Sequence, residues 1–318
     1  MMVRILLGFI VAAAALVAMP AQAGCTYASA NQPASFGSQN SFTIAGTPQI
    51  VQTNSGISCT ATGVLTVAGT NSVTGVISSQ NGTSSSPLMR SAGGYTVPYQ
   101  FCKDQGCSAT YPASGNIQWV SNRLLDLLGL FSGAGGTLPL YARTTPGANV
   151  PAGVYNDVAT INWNYSFCLL GIGSLCAYET GSGTTRVAVS LTVTNFCYLD
   201  SAPNVTFDPA ALISSFISLN SALGVRCTLL SSYSINLSGA NPLSGSWRQM
   251  MASVNGSPTY LQYQFYQGGG TAWTPTSNYT GIGTGVSQNI PYTATINPAQ
   301  ANKPAGDYSE VVTVTVTY

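Results

Sequence analysis

Apolar and polar residues alternate along most of this chain. At its end Val312, Val314, Val316 and Tyr318 share one face, and Thr313, Thr315 and Thr317 share the other. The same period runs through Val187, Val189, Leu191 and Val193, set against Ala188, Ser190, Thr192 and Thr194. Successive side chains of a strand point to opposite faces, so this pattern predicts strands with one face turned to a core. The runs are short and are separated by clusters of Gly, Ser, Asn and Pro, which favour turns. Together these features predict an antiparallel β-sandwich. A helical period is visible over Leu124 to Phe131, with a weaker signal over Pro209 to Leu219.

One strand pattern occurs twice. Pro151-Ala152-Gly153-Val154-Tyr155 runs on to Tyr165, and Pro304-Ala305-Gly306-Asp307-Tyr308 runs on to Tyr318; seven of the fifteen aligned positions are identical. Further matches keep the same order. Tyr99-Gln100-Phe101 returns as Tyr263-Gln264-Phe265, Trp119 as Trp273, and Leu138-Pro139-Leu140-Tyr141-Ala142 as Ile290-Pro291-Tyr292-Thr293-Ala294. The chain is therefore expected to hold a duplicated domain. After the first copy comes a Cys-bounded turn and a further strand, Arg186 to Thr194; the second copy ends at Tyr318. A sheet domain one strand short has an open core and an unpaired edge, and takes a strand from elsewhere.

The amino terminus reads as a secretion signal: Arg4, an apolar run from Ile5 to Ala18, and an A-x-A site at Ala21-Gln22-Ala23. The expected division is residues 1–23 as signal peptide, 24–194 as an N-terminal β-sandwich domain and 195–318 as a C-terminal one. The apolar run is too short for a membrane span. Removing Arg4 from nine basic residues leaves eight against eight acidic, a neutral mature chain. Neutrality argues against nucleic-acid binding, which needs a basic face. Charged residues make up only 5%, which suits an extracellular β protein that assembles with neighbours.

All eight cysteines fall after the signal, as expected for disulfides in an oxidising compartment. The repeat pairs Cys25 with Cys59 and Cys197 with Cys227, which sit at equivalent places in the two halves. Cys102 with Cys107 and Cys168 with Cys176 are then local pairs. A Cys₄ zinc site from the last four is disfavoured, because their spacings are not of the C-x₂-C type. The chain has no histidine, which removes Ser-His-Asp and Cys-His catalysis. The carboxylates are scattered, so a two-carboxylate glycosidase is disfavoured. Asp307 and Glu310 read as solubilising charges on an exposed strand. No cofactor is expected, and no enzyme.

Leu124-Leu125-Asp126-Leu127-Leu128-Gly129-Leu130-Phe131 stands out, because the matching stretch of the second half, Thr274 to Gly285, is polar. Leu124, Leu127, Leu128 and Phe131 fit a short amphipathic helix packed on the sandwich. The competing reading is an exposed apolar fingertip, with Leu124, Leu125, Leu127, Leu128, Leu130 and Phe131 as a surface-binding loop. Ser84 to Arg90, with Leu88 and Met89, is a weaker loop candidate.

Several features together resemble a known family. They are Cys25 followed by the Phe36-Gly37 turn, a second Cys about thirty residues on, a Tyr-rich central strand and the terminal PAG-x-Y strand. This is similar to the spore coat protein U domain, which is shared with subunits of archaic (Csu-type) chaperone–usher pili. The likeness covers nearly all of the mature chain as two copies. The first copy departs at Asn162 and Trp163 and in its two additional Cys pairs. The resemblance implies an all-β chain of two immunoglobulin-like antiparallel β-sandwich domains, the second lacking its final strand. It implies a secreted pilus-tip adhesin that mediates surface attachment and biofilm formation, passing through the periplasm to the cell surface. Its implied partners are a periplasmic chaperone, an outer-membrane usher, an adjacent pilin subunit and an abiotic or host surface. Val312, Val314, Val316 and Tyr318 would line the donor-strand groove. The alternative is a self-contained secreted spore-coat-like or matrix protein.

Overall fold

The computed structural model describes residues 22–62, 65–83, 86–111, 116–121, 127–133, 135–172 and 175–318. The chain is all-β and falls into two compact units. The first is built from residues up to Gln39, Gly46–Ala148 and Val154–Thr192. The second is built from Asn40–Ala45, Asn149–Gly153 and Val193–Tyr318.

Unit 1 draws on eleven strands: β1 (Gln22–Tyr27), β2 (Gln32–Asn40), β3 (Ile50–Thr62), β4 (Leu65–Ala68), β5 (Asn71–Ser79), β6 (Leu88–Ser91), β7 (Thr96–Cys102), β8 (Asn116–Ser121), β9 (Thr137–Thr144), β10 (Gly153–Ile172) and β11 (Leu175–Thr194). They follow one path, β1-β3-β9-β7-β6-β10-β11-β2, with β5 bridging β10 and β8. β4 lies parallel to the end of β10. The two-residue period has its expected effect. On β10 Ala159, Ile161 and Trp163 are buried, and on β11 Val187, Val189, Leu191 and Val193 are buried. β11 lies between β10 and β2 and pairs with both, so it closes the sandwich.

Unit 2 repeats the plan with β12 (Cys197–Ser201), β13 (Leu219–Cys227), β14 (Ser232–Gly239), β15 (Arg248–Val254), β16 (Ser257–Gln267), β17 (Tyr279–Ile282), β18 (Gln288–Ile296) and β19 (Val312–Thr317). One sheet runs β12-β13-β18-β16-β15 and the other β17-β14-β19. β19 pairs with β14 along Gly239↔Val312 to Ser234↔Thr317 and forms the edge of its sheet. Among the described residues, no strand of unit 2 takes the place that β11 has in unit 1.

Two helix expectations change. Pro209 to Leu219 holds only a single 3₁₀ turn, Ile213–Ser215, and Leu219 already opens β13. A six-residue helix that the period did not signal, α1 (Ser41–Gly46), is started by the Asn40 Oδ1, which accepts the Thr43 N–H at 2.8 Å.

Candidate functional site

The main site is built from what unit 2 lacks. Val312, Val314 and Val316 align with Ala159, Ile161 and Trp163 of unit 1, yet they are only half-buried against the core. Beside them lies a cleft of about 770 Å³, lined by Leu237, Leu261, Phe265, Val312 and Val314, with Val205 and Phe207 on its far wall. Those last two belong to Ala202–Ala210. The position of this segment after Cys197 matches that of β2 after Cys25, and Phe207 stands where Phe36 stands. In unit 1 the corresponding strand pairs with β11. In unit 2 the segment is irregular, although Val205 and Phe207 still alternate inward with exposed neighbours. The cleft is thus lined both by β19 and by Ala202–Ala210, together with apolar core side chains, which suits a slot for one extended strand. Val312 and Val314 line it. Val316 packs on the core outside the lining, and Tyr318 is 49% exposed beside a separate shallow depression with Tyr233.

A polar anchor sets the start of β19. Glu310 accepts hydrogen bonds from the Tyr263 hydroxyl and, at 2.8 Å, from the Asn241 N–H. Unit 1 has the same device: Asp157 accepts from Ser79 Oγ at 2.6 Å, Tyr99 OH at 2.7 Å and the Asn81 N–H at 3.1 Å. Burial, then the adjacent carboxylate, pushes both phenols, Tyr99 and Tyr263, well above their ordinary value. Nearby, Arg248 is buried. It donates to the carbonyls of Leu237 at 2.6 Å and Trp273 at 2.9 Å, and burial lowers its guanidinium pKa despite Tyr263 and Glu310. Reading Glu310 as a solubilising charge is thus corrected, while Asp307 is exposed as expected. The missed signal was an acid at the same place in both copies of the repeat.

The four disulfides are Cys25–Cys59, Cys102–Cys107, Cys168–Cys176 and Cys197–Cys227. Cys168–Cys176 ties the tip of the β10–β11 hairpin, at the end of unit 1 opposite residue 194. The disulfide rests on Gly69, where an added Cβ would lie 2.6 Å from Cys168 Sγ. Buried Asn71 is the hub of this end. Its Oδ1 accepts the Cys168 N–H at 2.8 Å, and its Nδ2 donates to the carbonyls of Gly69 at 2.9 Å and Ser121 at 3.3 Å.

The apolar segment that follows Ser121 is divided. Leu124 and Leu125 lie outside the described residues. Leu127 is 1% exposed and Phe131 is also buried; Leu128 is half-buried and Leu130 is 38% exposed. Leu127 and Phe131 are core residues of a short turn closed by Leu130 N–H to Leu127 C=O at 3.2 Å and Phe131 N–H to Leu128 C=O at 3.0 Å. Their place in the surface-binding loop is therefore withdrawn. Met89 likewise belongs to the core, on β6. Among the described residues the most exposed large apolar side chain is one the period did not flag: Leu175, 84% exposed, at the start of β11 after the hairpin turn. Among the described residues no group of three His, Cys, Asp or Glu could hold a metal, and no helix is long and apolar enough to cross a membrane.

Comparison with known proteins adds the following. The family model described as Spore Coat Protein U domain matches residues 11–162 and 183–315. No curated protein matches the chain. Among solved structures the chain is similar to the CsuC–CsuE chaperone–tip adhesion subunit pre-assembly complex from the archaic chaperone–usher Csu pili of Acinetobacter baumannii. The identity is 23% over 93% of this chain and 100% of that chain, with a TM-score of 0.56, a likeness of fold. It is also similar to the CupB6 tip adhesin from Pseudomonas aeruginosa, at 14% identity over 93% and 94% of the two chains and a TM-score of 0.34.

Proposed function

The chain belongs to the Spore Coat Protein U domain family, and from that premise we propose that it is the adhesin subunit at the tip of a chaperone–usher pilus. Residues 24–194 form a complete binding domain, and residues 195–318 form an assembly domain that receives its last strand from a partner. The observation that carries this reading is the open cleft between β19 and Ala202–Ala210, set against the same space filled by β11 in unit 1. A periplasmic chaperone supplies a strand first, and an adjacent pilin subunit replaces it at an outer-membrane usher. The solved relative of the same fold is itself described as a chaperone–tip subunit complex. The first strand that remains after cleavage, from Gly24, is used inside its own sheet, paired with β3 and tied by Cys25–Cys59. In this reading the first strand is spent within unit 1, which suits a subunit at the end of a fibre.

Binding is assigned to the apolar end of unit 1, with Leu175 and Leu130 as its exposed side chains. An exposed leucine on the disulfide-tied hairpin, with Leu130 on its own turn, suits contact with an abiotic or host surface and, through it, biofilm formation. The test is expression of the full chain with and without a cognate periplasmic chaperone. A stoichiometric complex, cross-linked through a probe at Val314, is the expected result. A soluble monomer that ignores the chaperone overturns the proposal and favours a self-contained coat protein.

A further inference from the structure

The first strand carries a feature independent of the cleft. Gly24 lies on β1 opposite Thr60, held in place by the next residue's disulfide, Cys25–Cys59. A Cβ built on Gly24 would lie 3.8 Å from Tyr165 OH of β10 and 3.9 Å from Glu179 Oε1 of β11. The Gly24 nitrogen is only about 2.5 Å from that Cβ position by covalent geometry. It therefore lies no more than about 6.4 Å from that carboxylate oxygen, at the edge of the ~4–6 Å range over which opposite charges couple, and a small side-chain rotation brings the two together. The titratable groups placed next to it are Glu179 and Tyr165, while Tyr27, on β1 itself, turns its ring to Gly183 of β11.

We propose that removal of the leader creates an anchoring site at this point: the new α-ammonium of Gly24 binds the Glu179 carboxylate and the Tyr165 hydroxyl. Hydrolysis of the Ala23–Gly24 bond consumes one water. It leaves a carboxylate on Ala23 and an amine on Gly24, and the amine takes up a proton. Before cleavage the Gly24 nitrogen is a neutral amide; afterwards it is a cation within reach of Glu179. Processing thus fastens the first strand to β11, the strand that closes unit 1. The inference rests on cleavage after Ala23 and not on the pilus reading.

The test uses the mature, exported full-length chain. N-terminal mapping should find Gly24 first. The α-amine should then be acylated more slowly at pH 7.5 than in Glu179→Gln, by up to about tenfold, the effect of a one-unit pKa difference. Tyr165→Phe, which keeps the carboxylate, should retain most of the slowing. Disulfide mapping checks that the variants fold. If Glu179→Gln does not fold, the wild-type amine is read alone, and an ordinary value of about 7.7–8.0 overturns the proposal. Equal acylation rates in wild type and Glu179→Gln, or a different first residue, also overturn it.

Discussion

Supplying unit 2 with the strand it lacks should stabilise it by an amount that unit 1 allows to be worked out. In unit 1 β11 buries Val187, Val189, Leu191 and Val193 almost completely. Burying four such side chains is worth on the order of 6–12 kcal/mol, at about 1.5–3 each. That figure is an upper estimate, because unfolded chains already bury some apolar surface. It is still comparable to the whole net stability of an ordinary domain, about 5–15 kcal/mol. The perturbation is a copy of residues 184–194 joined to Tyr318 by a short turn, so that it returns antiparallel along β19 as β11 does along β10. For a unit of this size, 1 kcal/mol corresponds to roughly 3–4 °C. The unit 2 transition in calorimetry should therefore rise by roughly 20 °C or more. Residues 195–318 expressed alone should aggregate or be proteolysed, and should become soluble with the copy attached. A copy whose four apolar positions are serine should do neither. A stable, monomeric 195–318 fragment without any added strand, or equal gains from the apolar and serine copies, would refute the reasoning.

Further predictions concern the rest of the molecule. Leu175→Ser should abolish surface attachment in a crystal-violet or flow-cell assay without moving the melting temperature, whereas Leu127→Ala should cost about 2–5 kcal/mol in denaturant unfolding as a core truncation. Tyr263→Phe removes a hydrogen bond to the Glu310 carboxylate and should lower unit 2 stability by about 1.5–3 kcal/mol in the same assay, and Tyr99→Phe should do the same to unit 1 through Asp157. Asp104 is held below the usual carboxylate range by the N–H groups of Ser108 and Ala109 and by the Ser108 hydroxyl. Because its folded value is the lower one, its contribution is present above the unfolded value near 3.9 and is lost as pH falls through the folded value. Amide exchange at Ser108 and Ala109 should accelerate over that acid range, and Asp104→Ala should show the fast rates at every pH.

The fold was legible because its rule is local. A two-residue period marks each strand wherever one face is buried, and it marked β19 and the Arg186 to Thr194 part of β11, while the earlier half of β11 went unread. The duplication was legible because PAG-x-Y, the Tyr-Gln-Phe strand and the tryptophans keep their order. What escaped depends on contacts between residues far apart in sequence. Glu310 looked like an edge charge until Tyr263 and Asn241 were placed against it, and Gly239 is needed there because a side chain would collide with the carboxylate. The period over Leu124 to Phe131 was equally compatible with a packed turn and an exposed finger. Burial of Leu127 and Phe131 decides for packing at those two positions. Leu175 escaped because its hairpin runs on from two regular strands, and its exposure follows from their length, twenty residues each, not from any motif. Ala202–Ala210 could not be read as a strand or a helix. Its sequence alternates, yet among the described residues no strand pairs with it, and under the proposed function that strand comes from a partner.

That segment offers the most direct test of the central claim. Amide hydrogen exchange is followed at residues 202–210 and 312–317 of the mature chain, alone and with a synthetic peptide that copies residues 184–194. The account predicts fast exchange at 202–210 in the chain alone. It predicts protection of both segments when one equivalent of peptide binds, because the peptide pairs with both walls of the cleft. Protection already present in the lone chain, to the level of β2 and β11 and unchanged by the peptide, would contradict it.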